Sequence, residues 1–405
     1  MLTKRVTLSL TSSAHFINDG NVIILPIVYA FLASQFGFSN FIVGLLGAIF
    51  FAVSALASPV VSHLADRSER PLRLMGLGIF IWVIGLDFFG ISIAYLNHNI
   101  YLIFLSVFVC GFASAFYHPL GGTAVSEAYG GNAGKALGIN GSFGSIGRAL
   151  YPTLTLLLFD FLGQSTVNMF ETIAIISFIS FIDAIPALFS DFPADEPAPK
   201  AEKINNNNNN NNHTTNSIIY IIILLTVITI IRSLFTQGVG NFLPILLVDQ
   251  GYDYNSTLGF ILTVTLAPAV LGQPFFGYLS DKYDRRYLFG LSNIGSAISF
   301  YLFLTIPSLI WLISFGFFTY SLFPLTISLI GDVVPKKSSN LSSGIVWGIG
   351  ASGGGALGPL VVGILTEFMS LSSSLKVITV LGFLSGFLVV LIPKTQKRGK
   401  TPMFK

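Results

Sequence analysis

The chain has 405 residues, 53% of them hydrophobic and only 10% charged. A soluble domain carries about 25% charged residues, so a protein of this size would lack the polar skin that water demands. The net charge of +3 comes from scattered Lys and Arg with no aromatic-lined basic module beside them, which excludes a nucleic-acid binder.

A bilayer core is about 30 Å thick and a spanning helix needs about 20 apolar residues. Runs of that length recur along the chain. They place all-α spans near 7–35, 39–62, 72–95, 99–127, 133–162, 168–189, 217–248, 255–279, 286–306, 308–331, 339–368 and 373–392. A membrane barrel would instead show short alternating segments of about 10 residues. Ile218–Ile231 and Val377–Ile392 are apolar on every side.

The first run follows Lys4 and Arg5 and is interrupted by His15, Asn18 and Asp19, with no small-residue cleavage site, so it reads as an uncleaved first span. Ionisable groups at mid-membrane cost about 2.5–3.5 kcal/mol each on insertion scales, so they usually have a partner or a task. His15 and Asp19 are four residues apart and share a helix face. The pair reads as the proton-carrying group, with Asn18 adding polarity for substrate. Self-neutralisation between helices is the structural alternative.

Asp87 in span three and Asp183 in span six read as structural acids. Cys110, the single cysteine, reads as a small core residue. In span four His118 precedes Pro119, whose ring frees a backbone carbonyl and bends the helix, so the imidazole is placed to bond substrate or relay a proton. Span five carries glycines at 134, 138, 141, 144 and 147, a face that lets backbones approach closely. Arg148 follows them, and Arg232 lies at a similar depth in span seven. A guanidinium stays charged and grips a carboxylate or phosphate through two parallel bonds. The two arginines together read as an anion site, or as partners of fixed acids such as Asp87 or Asp183.

Between the sixth and seventh spans, residues 191–216 are rich in Pro, charge and Asn and read as a flexible tether. It separates a first unit, 1–190, from a second, 217–405. With the N-terminus in the cytoplasm and twelve alternating spans, 18 of the 21 Lys and Arg fall on the inner side and one, Lys376, on the outer. Miscounting one span would destroy that split, so both chain ends are expected in the cytoplasm.

The second unit repeats the first. Pro59 and Pro274 differ by 215 positions, as do Ser62–Arg70 and Gly277–Arg285; Pro119-Leu120 answers Pro324-Leu325 and Glu127 answers Asp332. Span n pairs with span n+6, so the halves are parallel repeats. Asp66, Arg67, Arg70, Glu127, Asp281, Arg285, Arg286 and Asp332 all fall at the expected cytoplasmic face, where opposite charges are placed to lock an inner gate.

Ser62-His63-Leu64-Ala65-Asp66-Arg67-Ser68-Glu69-Arg70 resembles the loop signature of the major facilitator superfamily, with Ser62 and Glu69 in place of two glycines. Gly277–Arg286 is a second copy. The resemblance implies two six-helix bundles rocking around a midplane cavity lined by spans one, two, four, five, seven, eight, ten and eleven. Ala14–Asp19 and Phe116-Tyr117-His118-Pro119 are similar to the fosmidomycin-resistance-type branch of exporters, which implies efflux; the absence of any nucleotide motif argues for a gradient as the energy source, with protons expected as the coupling ion in antiport. The expectation is a monomeric secondary transporter of the plasma membrane, not an enzyme, moving a small, anionic organic solute with protons. Uptake of a sugar, carboxylate or phosphate compound is the alternative within this fold, and a non-transporting sensor the alternative outside it. No nucleotide fingerprint, cofactor motif or metal-ligand spacing appears.

Overall fold

Apolar runs that cannot leave backbone amides unpaired in lipid fold as helices, and no strand occurs among the described residues. The computed structural model describes residues 4–68, 70–129, 133–190, 212–322, 325–326, 329–330 and 345–393. The first half comprises α1 (Lys4–Phe36), α2 (Asn40–Arg67), α3 (Pro71–Ala94), α4 (Ile100–Tyr129), α5 (Ala133–Leu162) and α6 (Thr166–Leu188). The second comprises α7 (Asn212–Asp249), α8 (Ser256–Leu266), α9 (Pro268–Lys282), α10 (Arg285–Thr305), α11 (Leu309–Tyr320), α12 (Gly354–Leu365) and α13 (Leu371–Leu388).

Ten of these stretches are long and apolar enough to cross a membrane. The glycine-diluted α5 and the short apolar α11 complete twelve spans. Pro268 at the start of α9 splits the eighth span in two, since proline fits the first turn of a helix but not its interior. A π-helical turn, Val346–Gly353, opens the eleventh span before α12. The seventh span begins at Asn212, five residues before the expected start, so the end of the expected tether is helical. Residues 191–211 of that tether lie outside the described residues.

Helix starts follow their capping chemistry. Ser165, Asn255, Asp284 and Ser370 each accept a bond from a backbone amide of the helix they open. Pro71 opens α3.

The halves meet between α1 and α7 and along two flanking seams, and under the n to n+6 repeat each seam is the copy of the other. In one, α5 meets α8 and α9. Asp160 Oδ2 accepts from Ser256 N at 2.7 Å, Thr153 Oγ1 donates to Thr263 Oγ1 at 2.8 Å, and Gln273 Nε2 donates to Ser145 Oγ at 2.9 Å. In the other, α2 meets α12. A Cβ on Gly44 would meet the Pro359 carbonyl and lie 3.0 Å from Gly363 Cα, and one on Gly355 would lie 3.1 Å from Phe51. Tyr254 adds a bond from its hydroxyl to Ile27 O at 2.9 Å.

Both seams are tight at the face remote from the N-terminus and end halfway down. Nearer the N-terminal face, a Cβ on Gly138, Gly277 or Gly348 would meet nothing within 4 Å. The halves are therefore closed at the remote face and splayed at the N-terminal face.

Gly44→Val is expected to prop the remote seam open. Overpacking costs about 1–3 kcal/mol, so the open-to-closed ratio there should rise about five- to a hundredfold. Spin-label distances between the remote ends of α2 and α12 should lengthen; an unchanged distribution would contradict this packing.

Candidate functional site

Four elements of the first half bring a charged cluster together. Asp19 of α1 is 4% exposed. Its Oδ2 lies 3.3 Å from His15 Nε2 one turn earlier and 3.5 Å from Arg148 Nε of α5, while Oδ1 lies 3.6 Å from His118 Nε2 of α4. Asn18 Nδ2 donates to Asp19 Oδ1 at 3.1 Å, and Trp82 Nε1 of α3 holds Asn18 by donating to its Oδ1 at 3.0 Å. The carboxylate thus has a guanidinium, two imidazoles and an amide around it.

A second layer sets the imidazoles. His15 Nδ1 lies 2.9 Å from Asn140 O and 3.0 Å from Asn140 Oδ1, so Nε2 is turned to Asp19. Tyr117 stacks on His15 with centroids 4.5 Å apart, and its hydroxyl donates to Asn140 Oδ1 at 3.0 Å. His118 meets the His15 ring edge-on at 5.5 Å. The side chain of His118 is 61% exposed and that of Arg148 30%, so these two connect the sequestered carboxylate to open space. Asn140 and Tyr117 had no ionisable signature in the sequence and were legible only as neighbours of the glycine stripe and of His118.

The glycine stripe makes this approach possible. A Cβ on Gly144 would collide with His15 Nε2 and lie 2.8 Å from Asp19 Oδ2.

Beyond Arg148, toward the closed face, the halves enclose a cavity with about 110 Å³ free for the centres of water-sized molecules. Its walls are mostly apolar, including Pro26, Phe50, Phe51 and Leu266, and its polar lining is Tyr29, Arg148, Gln237, Asn241 and Tyr320. Arg148 is the charged member of that lining.

The expected pairing of Arg148 with Arg232 takes another form. Arg148 is held by Asp19, and among the described residues it makes no ion pair with Asp87 or Asp183. Arg232 Nη2 donates to Thr319 O at 2.6 Å, at the C-terminal end of α11, where carbonyls lack helical partners and a cation is favoured. Tyr320 lies within electrostatic range of both arginines.

The expected gate residues occupy helix ends at the N-terminal face. Asp66 and Arg67 close α2 and Asp281 lies in α9, with side chains outside the described ones; Asp332 lies outside the described residues. Arg70 and Glu127 are exposed. Arg286 is 6% exposed, paired with Asp284 at 2.6 Å and bonded to Ile392 O at 2.6 Å, contacts within its own half.

The sequence shows no metal-ligand spacing, yet the fold sets one donor atom each of His15, Asp19 and His118 within 4.8 Å of one another. Arg148 already supplies positive charge to that carboxylate, and a metal ion there would meet its repulsion.

The Major Facilitator Superfamily profile matches residues 11–256 and 225–405. The fosmidomycin resistance protein of Escherichia coli is 23% identical over 96% of this chain and 92% of its own length. The uncharacterized MFS-type transporter YfnC of Bacillus subtilis is 26% identical over 95% and 91%. Among solved structures, a bacterial homolog of the human lysosomal transporter Spinster, inward-facing and occupied, superposes with a TM-score of 0.78 at 14% identity over 97% of each chain. The nucleoside transporter NupG superposes with a TM-score of 0.75 at 14% identity, over 97% of this chain and 100% of its own.

Gly144→Ala is expected to displace the His15–Asp19 pair while leaving the helices intact. Losing a charge-assisted bond of about 1.5–3 kcal/mol should lower transport about ten- to a hundredfold with little change in melting temperature. Normal transport by this variant would mean that the pair has no part in the cycle.

Proposed function

The chain belongs to the Major Facilitator Superfamily, a family of membrane transporters, and from that premise we propose that it is a proton-coupled carrier of a small organic anion, working by alternating access. The observation that carries this reading is the ion pair of Asp19 and Arg148, 3.5 Å apart at the mouth of the inter-half cavity. Arg148 is the anion-binding cation, Asp19 the proton carrier, and His15, His118 and Asn18 hold or relay to the carboxylate. Arg232 supports the site by bracing the end of α11.

Taking both chain ends as cytoplasmic, on the 18-to-1 distribution of Lys and Arg, makes the splayed face the cytoplasmic one and the conformation inward-open. Asp66, Arg67, Arg70, Glu127, Asp281, Arg285 and Arg286 then stand on the face that must close next. Surface pairs are each worth about 0–1 kcal/mol, which suffices to bias a balanced two-state equilibrium. The reading takes one chain as the transporting unit in the plasma membrane.

The pair dictates a coupling logic. An anion on the terminal nitrogens of Arg148 divides that one cation between two negative groups, and a carboxylate less fully compensated in a low-dielectric site binds a proton more readily. Anion and proton then bind together, and an inward proton gradient draws the solute in. Export by exchange is the second reading, favoured by the likeness of nearly the whole chain to the fosmidomycin resistance protein. It requires the solute to expel the proton. Right-side-out and inverted vesicles with an imposed pH gradient separate the two readings.

Arg148→Ala should abolish anion transport with the fold intact, and Arg148→Lys should retain a fraction. Asp19→Asn should lose gradient-driven accumulation while keeping solute exchange. Wild-type rates in Arg148→Ala would remove the anion site, and unchanged proton coupling in Asp19→Asn would remove that residue from the mechanism.

A further inference from the structure

Resting on the preceding reading of Arg148, we propose that Gln237 and Tyr320 are the substrate-binding residues of the second half, and that the cavity takes an anion with an apolar body, an aryl or branched-alkyl carboxylate or phosphonate.

Three polar groups converge on the cavity without being spent. Only Nε of Arg148 is engaged by Asp19, and its two terminal nitrogens have no hydrogen-bond partner among the described residues. The Gln237 amide of α7 lines the cavity and makes no hydrogen bond among the described residues. The Tyr320 hydroxyl at the end of α11 lines it too, 3.5 Å from where a Cβ on Gly240 would stand, and is likewise unbonded among those residues. Of the other two polar lining residues, Asn241 donates to Val43 O of α2 at 3.5 Å, and the Tyr29 hydroxyl, without a hydrogen-bond partner among the described residues, is itself buried away from the open space.

The first half offers a cation; the second offers two neutral groups able to donate to an anionic oxygen. A headgroup bonded to all three bridges α5 to α7 and α11, which is what a solute must do to be felt by both halves. Its remaining atoms must face Pro26, Phe50, Phe51 and Leu266. A hydroxyl placed there would surrender its water without a replacement, whereas each methylene gains about fourfold in affinity from burial. Polyhydroxylated acids and sugar phosphates are therefore disfavoured relative to apolar anions of the same charge.

The test measures dissociation constants of phenylacetate, gluconate and benzyl alcohol by calorimetry on the full chain in nanodiscs. Phenylacetate should bind at least about tenfold more tightly than gluconate. Gln237→Ala and Tyr320→Phe should each weaken phenylacetate about tenfold, the scale of one hydrogen bond to a charged group, with unchanged melting temperatures. Gluconate binding as tightly as phenylacetate would overturn the apolar-body inference and leave the anion carrier standing. Undiminished affinity in both variants would overturn the assignment of Gln237 and Tyr320. Benzyl alcohol matching phenylacetate, with Arg148→Ala indifferent, would bring down the anion reading itself, and no binding of any probe would overturn the inference.

Discussion

A carboxylate at the centre of a membrane protein is the constraint around which this molecule is arranged. Asp19 is nearly sealed from solvent, at 4% exposure, and its ionised form is tolerable only because Arg148, His15, His118 and Asn18 converge on it. Packing follows from that need: α5 must come close enough to α1 for Arg148 to reach, and only glycine at 144 leaves room for His15 and Asp19 together.

The same constraint links the site to the motion. Arg148 stands on α5, and α5 forms one of the two seams between the halves through Ser145, Thr153 and Asp160. Gln273 ties the same stretch to the end of α11 by a bond to Tyr320 O at 3.3 Å. In the proposed cycle, a change in what Arg148 holds is therefore felt directly on a seam helix. The neutral bonds of the seams are individually weak, on the order of 1 kcal/mol, and the Asp160 carboxylate bond is worth about 1.5–3 kcal/mol, which suits a contact that is made and broken in the proposed cycle. A fixed ion pair across the same seam would hold one state too firmly.

Much of this was legible in the residues. Twelve apolar runs, the basic residues between them and the repeated Asp-Arg loops carry the architecture, because lipid leaves helices as the only spans open to such a chain. His15 and Asp19 announced themselves as polar groups four apart in an apolar helix. What stayed hidden was partnership across helices. Nothing local says that Arg148, rather than a residue of another span, reaches Asp19, because that depends on the rotation of α5 about its axis. Arg148 and Arg232 look equivalent by depth, yet one faces the cavity and the other bonds the end of α11. Gln237 and Tyr320, neutral and common, carry no signal until the fold turns them inward. The kink of the eighth span at Pro268, across a single helical residue Ala267, went unread, although a proline inside an apolar run is its signal.

Counting protons during binding tests the central claim, that Asp19 and a bound anion share Arg148. Calorimetry with phenylacetate at one pH, in two buffers of different ionisation enthalpy, gives that count directly. The account predicts uptake of about one proton per anion by the wild-type chain, and none by Asp19→Asn, at a pH where the free site is ionised. Binding without proton exchange, or with release of a proton, would contradict it.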